Sequence, residues 1–289
     1  MIDLIHRQKL DIDKYDSCIS NSLQKKVYAF SWYLDEVSDH WSVLVWNDYE
    51  VVMPLPWKKK WGIQYVYQPF FTQQLGVFSS IEMPEKRLRK FYKSIPRRFV
   101  KTYLQVPQSS RFQSSKFTLR DNYELQLNKS YELLRKNFSK GRKSAISFAK
   151  RQQVICERAT IQDLIQMSKS HYTLNGFDNR AYALLEKLTA ILLKKRIGEV
   201  RGVYLKNELI GGALFVKSGS YLIYLFSAVN EKGKQNEATS FLLNNIIEKH
   251  ANTAIRLDFE GSMIPGVAHF FRSFGALNKP YSVYKKNFL

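Results

Sequence analysis

Residues 200–229, VRGVYLKNELIGGALFVKSGSYLIYLFSAV, carry β-branched and aromatic side chains in three runs, broken at Lys206-Asn207 and at Ser218-Gly219. Two-residue breaks of this kind are hairpin turns, so the segment predicts an antiparallel meander of three strands. A meander must bury at least one face, and the flanking sequence supplies the means. Upstream, QVICERA (153–159) reads as a strand, and Thr160 opens a helix over IQDLIQMSKSHYTL. After Asp178, Ala181, Leu184, Leu185, Leu188, Ile191 and Leu192 form one stripe of a second helix, with cations in its last turn and Gly198 behind. Downstream, the polar loop NEKGKQNE (230–237) leads into a helix carrying Leu242, Leu243, Ile246 and Ile247 inward as far as His250. A strand over 254–260, a helix over 266–274 ended by Gly275 and a last strand over 281–287 complete the order β, α, α, β, β, β, α, β, α, β.

The first half reads as a weaker version of the same plan. WSVLVWN and YEVVMPLPW form a hairpin over Asp48, YVYQPF continues the sheet, Met83 to Tyr92 is a basic helix, and KTYLQVP and FTLRDNYELQL are later strands. Strand character gives way near Asn128 to a basic helical segment over 130–152, which divides the chain into domains 1–128 and 129–289. The fold class is α/β with mixed sheets. Gln68, Gln73 and Gln74 lie amid aromatics in YQPFFTQQLGVF (67–78), a composition that suits either a groove lining or an ordinary buried strand and turn.

Lys and Arg number 45 against 25 Asp and Glu, a formal net charge of +20. Such an excess implies a polyanionic partner: RNA, anionic lipid headgroups or a phosphorylated small molecule. It is concentrated in two blocks, 85–101 with eight cations against Glu85, and 135–151 with seven cations and no acid. If the second block is one helix, Lys136, Lys140, Lys143 and Lys150 share a face, although Gly141 weakens that reading. The two cysteines and five histidines show no metal-ligand spacing, so neither a disulfide framework nor a metal is expected. No apolar run approaches the length of a signal peptide or a membrane span, so a cytoplasmic protein is expected, peripheral at the inner membrane face if lipid is the partner.

RLDFEGSMIPGVAHFFRSFGA (256–276) starts as a strand and ends as a helix. Alternation turns Leu257 and Phe259 to one face and Asp258 and Glu260 to the other. Either these carboxylates bind an acceptor and handle a proton at the end of a strand, or one of them caps the following helix or pairs with an Arg. Glu260 is the stronger candidate of the two, as the last strand residue before Gly261. His269 is expected in packing, and Ser262 and Cys156 need no catalytic role.

The element order resembles the GNAT acyltransferase fold. Two such domains, joined by LLRKNFSKGRKSAISFAKR and ending near LDFEGSMIPGVAHFFRSFGA, resemble the FemAB family and its GNAT-related relatives. That family shows a basic phrase Ser-Lys-x-x-Arg-x-x-Ile, which Ser139, Lys140 and Ile146 fit, with Lys143 at the Arg position and Arg142 one place earlier. It also shows Asp-Phe-x-Gly followed by a phrase ending Phe-Gly, seen at Asp258, Phe259, Gly261, Phe274 and Gly275.

The resemblance implies two tandem GNAT-like domains, the first degenerate, meeting along a cleft. It implies transfer of an acyl group from acyl-CoA, or an aminoacyl group from aminoacyl-tRNA, to an amine acceptor such as a cell-wall precursor, a peptide or a small molecule. No helical hairpin of the kind some family members use as a tRNA-binding arm is present. The coenzyme A loop of GNAT enzymes aligns on KQNEATSFLL (234–243), placing Lys234, Gln235, Asn236, Ala238 and Thr239 as candidate cofactor contacts, with Glu237 opposing a phosphate there. Lys140, Arg142 and Lys143 are candidates for holding a donor or acceptor phosphate. The alternative is a non-catalytic protein on the same scaffold that binds RNA or an anionic membrane.

Overall fold

The computed structural model describes residues 1–107, 115–171 and 177–287. Contacts divide the chain into two compact units, Met1–Arg120 with Pro280–Leu289, and Asp121–Lys279.

The first unit runs β1 (Ile2–His6), α1 (Ile12–Asn21), α2 (Ser31–Val37), β2 (His40–Trp46), β3 (Val51–Lys60), β4 (Ile63–Val66), β5 (Phe78–Ser79), α3 (Glu85–Lys93), β6 (Phe99–Val106) and β7 (Phe117–Arg120). The second runs β8 (Tyr123–Gln126), α4 (Tyr131–Lys136), α5 (Lys140–Arg151), β9 (Ile155–Arg158), α6 (Ile161–His171), α7 (Asn179–Lys194), β10 (Gly198–Leu205), β11 (Glu208–Ser218), β12 (Tyr221–Val229), α8 (Glu231–Gln235), α9 (Ala238–Lys249), β13 (Arg256–Asp258), α10 (Pro265–Arg272) and β14 (Leu277–Asn278). A final strand, β15 (Tyr281–Asn287), closes the chain.

The meander stands where the sequence places it. Lys206 and Asn207 adopt φ of 50° and 66°, and Gly219 a φ of 61°, so both turns use the left-handed region that short hairpins require. The Asp178 carboxylate accepts from the Arg180 and Ala181 amides at 3.0 Å and caps α7.

Each sheet is antiparallel except for one pair. In the first, of order β1-β2-β3-β4-β6-β15-β7 with β5 on β3, the parallel pair is β4 and β6, with α3 between them in sequence. In the second, of order β14-β8-β13-β12-β11-β10-β9, it is β12 and β13, bridged by α8 and α9. With the two-residue β5 set aside, the first unit repeats the β, α, α, β, β, β, α, β order. Among the described residues it lacks a counterpart of α10, and there its degeneracy lies.

Four expectations are corrected. The last strand, expected in the second domain, hydrogen-bonds between β6 and β7 in the first sheet. In return β8, assigned to the first half, pairs antiparallel with β13, so the boundary falls at Asp121 instead of Asn128 and the second unit ends at Lys279. The basic segment 130–152 is two helices: Asn137 ends α4, and the Ser139 hydroxyl accepts from the Arg142 amide at 3.2 Å to start α5. Lys136 therefore leaves the proposed ridge, and the Lys143 ammonium donates to the Lys136 carbonyl at 3.0 Å. The strand expected over 254–260 is only Arg256–Asp258.

The second unit's core lies between its sheet and α5, α9 and α10, around Ile146, Phe215, Leu243, Ile247, Leu257 and Phe274. The first unit's core gathers Met53, Leu55, Phe91, Phe99, Leu104 and Tyr284.

Candidate functional site

The parallel ladder between β12 and β13 is three residues long, Tyr221 to Ile223 against Arg256 to Asp258. Beyond it β12 continues through Tyr224–Val229, held on its other side by β11. Opposite β11, Leu214 pairs with Phe226 and Phe215 with Tyr224, so Leu225 is an extra residue, a β-bulge just past the point where the ladder ends. The register with β13 ends at Ile223 and Asp258, while β12 itself runs on to Val229. The sheet therefore opens beside β12, and the sequence around Glu260 stands at that opening.

At this point the chain turns sharply. Asp258 is fully buried and its carboxylate accepts from the Glu260 amide at 3.0 Å, closing an Asx turn. Glu260 and Gly261 follow at φ of 58° and 67°. A Cβ on Gly261 would run into the Asp121 carbonyl oxygen, so glycine is required there by space as well as by φ. Glu260, without that exemption, is held left-handed and half-buried. Non-glycine residues held so cluster at functional sites. The alternation that would turn both carboxylates to one face ends with β13. Phe259 packs as expected, with its ring 4.7 Å from Phe271 and 6.4 Å from Phe274.

The two phrases that carry the family resemblance meet in space. The Ser139 amide donates to the Ser273 carbonyl at 2.9 Å, and Gly275, at φ 80°, passes so close to Asn137 that a Cβ would lie 3.0 Å from the Asn137 Cβ. Arg142 ties them together. Its Nε donates to the Ser273 hydroxyl at 2.9 Å, its Nη1 to the Ser240 hydroxyl, and Glu237 lies 3.6 Å away. Its guanidinium also sits over Phe270 at 4.2 Å and Phe274 at 4.8 Å. The side chain is 11% exposed, and burial lowers its pKa against the pull of Glu237. Arg142 thus clasps α5, α9 and α10 together, with most of its side chain removed from water. Lys140 is exposed and Lys143 half-buried.

The candidate cofactor contacts are spread over the α8–α9 corner. Lys234 and Gln235 are exposed, the Lys234 ammonium lies 2.6 Å from Glu231, and Asn236 donates to the Lys232 carbonyl at 2.8 Å. Ala238 is buried and Thr239 half-buried at the start of α9. Glu237, at φ 55°, precedes the helix, and its carboxylate accepts from Ser240 at 2.5 Å. A carboxylate, itself paired with Arg142, thus stands at the α9 N-terminus.

Sequence reading missed Ser240, Ser273 and Leu225. The two serines carry no local signal, since only the crossing of three helices brings them to Arg142. The bulge is invisible in an unbroken apolar run. His269, expected in packing, is exposed. A cavity of about 860 Å³ lies away from all these residues, lined by α6, α7 and the start of β10 and including Arg196, Glu199 and Lys249. Among the described residues no group of His, Cys, Asp and Glu could hold a metal ion.

No protein-family model matches the chain, and no curated protein sequence matches it. Solved structures do. FemX aligns over 97% of this chain and 96% of its own with a TM-score of 0.65 at 12% identity. The C-terminal domain of a lysylphosphatidylglycerol synthetase from Agrobacterium fabrum aligns over 96% and 92% with a TM-score of 0.55 at 8% identity. A tandem GNAT protein from the clavulanic acid biosynthesis pathway aligns over 99% and 98% with a TM-score of 0.57 at 9% identity. With its two mixed sheets, each holding one parallel pair bridged by a helix, the chain has the tandem GNAT-like fold that these structures share.

Proposed function

We propose that the chain is an acyl- or aminoacyltransferase acting on an amine, with transfer taking place in the opening beside β12. One observation carries this reading: β12 and β13 part after Ile223 and Asp258, and a left-handed Glu260 stands where they part. The acceptor nitrogen attacks the donor carbonyl carbon, the bond to the donor's oxygen or sulfur breaks, and that atom leaves with a proton. Glu260 takes the proton from the acceptor's nitrogen, directly or through water. Leu225, freed from its ladder by the bulge, offers a main-chain N–H to the developing oxyanion. Asp258 acts indirectly, holding the Glu260 amide and so the turn.

The α9 N-terminus favours an aminoacyl ester over acyl-CoA as donor. A helix N-terminus attracts a diphosphate through its free N–H groups and dipole, and here Glu237 already supplies an anion. The acceptor is an amine of the cell-wall-precursor, peptide or small-molecule class.

The test is transfer of labelled aminoacyl groups from tRNA, and of acetyl groups from acetyl-CoA, to a panel of amines. Glu260→Gln keeps the shape and removes the charge, so its rate falls by about 10²-fold or more with an unchanged melting temperature. Wild-type turnover by that variant removes Glu260 from the chemistry.

A further inference from the structure

The β3–β4 hairpin ends in a two-residue loop, Trp61-Gly62, with Lys60 paired to Ile63 across it. Trp61 has φ 49° and Gly62 φ 80°, both left-handed, a turn that Asn-Gly or Gly-Gly suits far better than Trp-Gly. The indole is 89% exposed, so the fold gains no burial from it. Ile63 beside it is 47% exposed.

Strand register shows what surrounds this tip. Gln64 pairs with Phe99 in parallel, which brings the start of β6, with Arg97 and Arg98 just before it, next to the start of β4. Lys101 pairs with Asn287 and Thr102 with Lys286, so the end of β15 lies at the same end of the sheet. Lys286 has its pKa lowered by burial and by the nearby charges of Lys116 and Arg97, which places those three cations together. Lys59, Lys60, Arg97, Arg98 and Lys101 are exposed. The stretches 56–66, 86–107 and 280–287 contain no acid at all. Asp39, which lies 3.7 Å from Lys58, is the acid this end holds close to the hairpin.

An apolar pair on a convex apex, flanked by exposed cations, is suited to a charged boundary that is soft beneath. Indoles settle at the headgroup level of a bilayer, and each Lys or Arg nearby adds attraction to anionic lipid. Single-stranded RNA asks for stacking platforms along a groove instead, and Ile63 offers nothing to a phosphate. No helix among the described residues is long and apolar enough to cross a membrane, so contact would be made from one side.

We propose that this end of the first sheet, led by Trp61 and Ile63 and flanked by Lys59, Lys60, Arg97 and Arg98, docks the protein on an anionic lipid bilayer. The proposal is independent of the chemistry assigned to Glu260.

Sedimentation of the full chain with phosphatidylcholine vesicles, alone and mixed with phosphatidylglycerol, tests it. The chain partitions onto the mixed vesicles and not onto the neutral ones. Lys59→Glu with Lys60→Glu lowers that partition by about tenfold or more, because each cation at the surface contributes severalfold. Lys86→Glu with Lys90→Glu on α3 changes net charge equally and costs less than about threefold. Trp61→Asn creates the favoured Asn-Gly turn, so the variant folds at least as well while its partition falls about fivefold. Equal losses from the two double reversals, undiminished partition of Trp61→Asn, or Trp61-dependent binding of single-stranded RNA without vesicle binding each overturn the proposal.

Discussion

The two parallel strand pairs, β4 with β6 and β12 with β13, are the same construction finished in two ways. In the first unit β4 stops at Val66, and the chain that follows fills the place beside β6: Gln68 Oε1 accepts from the Gln105 amide at 2.9 Å, and the Leu75 amide donates to the Gln105 carbonyl at 2.8 Å. Thr72, Gln73 and Gln74 are buried there, so the glutamine-rich stretch is packing. In the second unit β12 runs six residues past its ladder, and β13 turns away at Asp258. The place beside the parallel pair is thus filled by the following chain in the first unit, whereas in the second the two strands part with a carboxylate held left-handed beside them. Single cations differ as well: the Arg142 side chain of the second unit is largely removed from water, whereas Lys59, Lys60 and Arg97 of the first are exposed.

This contrast is sharpest at Arg142. Arg142→Ala leaves the Glu237 carboxylate without its cation and two serine hydroxyls without a donor, a loss of about 2 kcal/mol in urea unfolding, most of it from the hydrogen bonds because Glu237 is partly exposed. Lys140→Ala, two residues earlier and exposed, changes stability by less than about 0.5 kcal/mol. Equal effects would mean that Arg142 does not clasp the three helices. Gly261→Ala probes the free opening. A methyl against the Asp121 carbonyl, at φ 67°, costs about 2 kcal/mol or more and displaces Glu260, so transfer falls with stability.

The smallest expected effect concerns His250, at the end of α9. Its Nε2 is buried without a partner, and its pKa is lowered by burial and by Lys249 and Lys217, against Glu199. A histidine whose folded pKa lies below its unfolded value of about 6.5 binds more protons when unfolded. Its contribution is present above about pH 6.5 and is lost as pH falls through the lower, folded pKa. Thermal unfolding of His250→Gln, followed from pH 7.5 to 5, should show a shallower decline than the wild type.

Much of the second unit was legible because its signals are local. The turn residues Lys206-Asn207 and Gly219, the cap Asp178 and the apolar stripe of α7 act within a few positions of themselves, and each fixed the element it marks. The corner at Gly261 was legible for the same reason, down to the packing of Phe259. The opening β-α-α of the first unit was not read, because α1 and α2 are only ten and seven residues long and bury few side chains each, among them Tyr15, Ile19, Tyr33 and Leu34.

What the chain's order of residues determined by itself was the succession of elements, the excess of positive charge and the presence of a tight carboxylate-glycine turn after a strand. Tertiary structure decided the rest. β8 and β15 each had enough apolar character for either sheet, and pairing across more than a hundred residues settled which one each joined. Arg142 and Lys59 look alike as letters in basic runs. The crossing of three helices gave the first a carboxylate, two hydroxyls and two aromatic faces, while an exposed hairpin left the second in water, and a cation's role follows from how much solvent its surroundings remove.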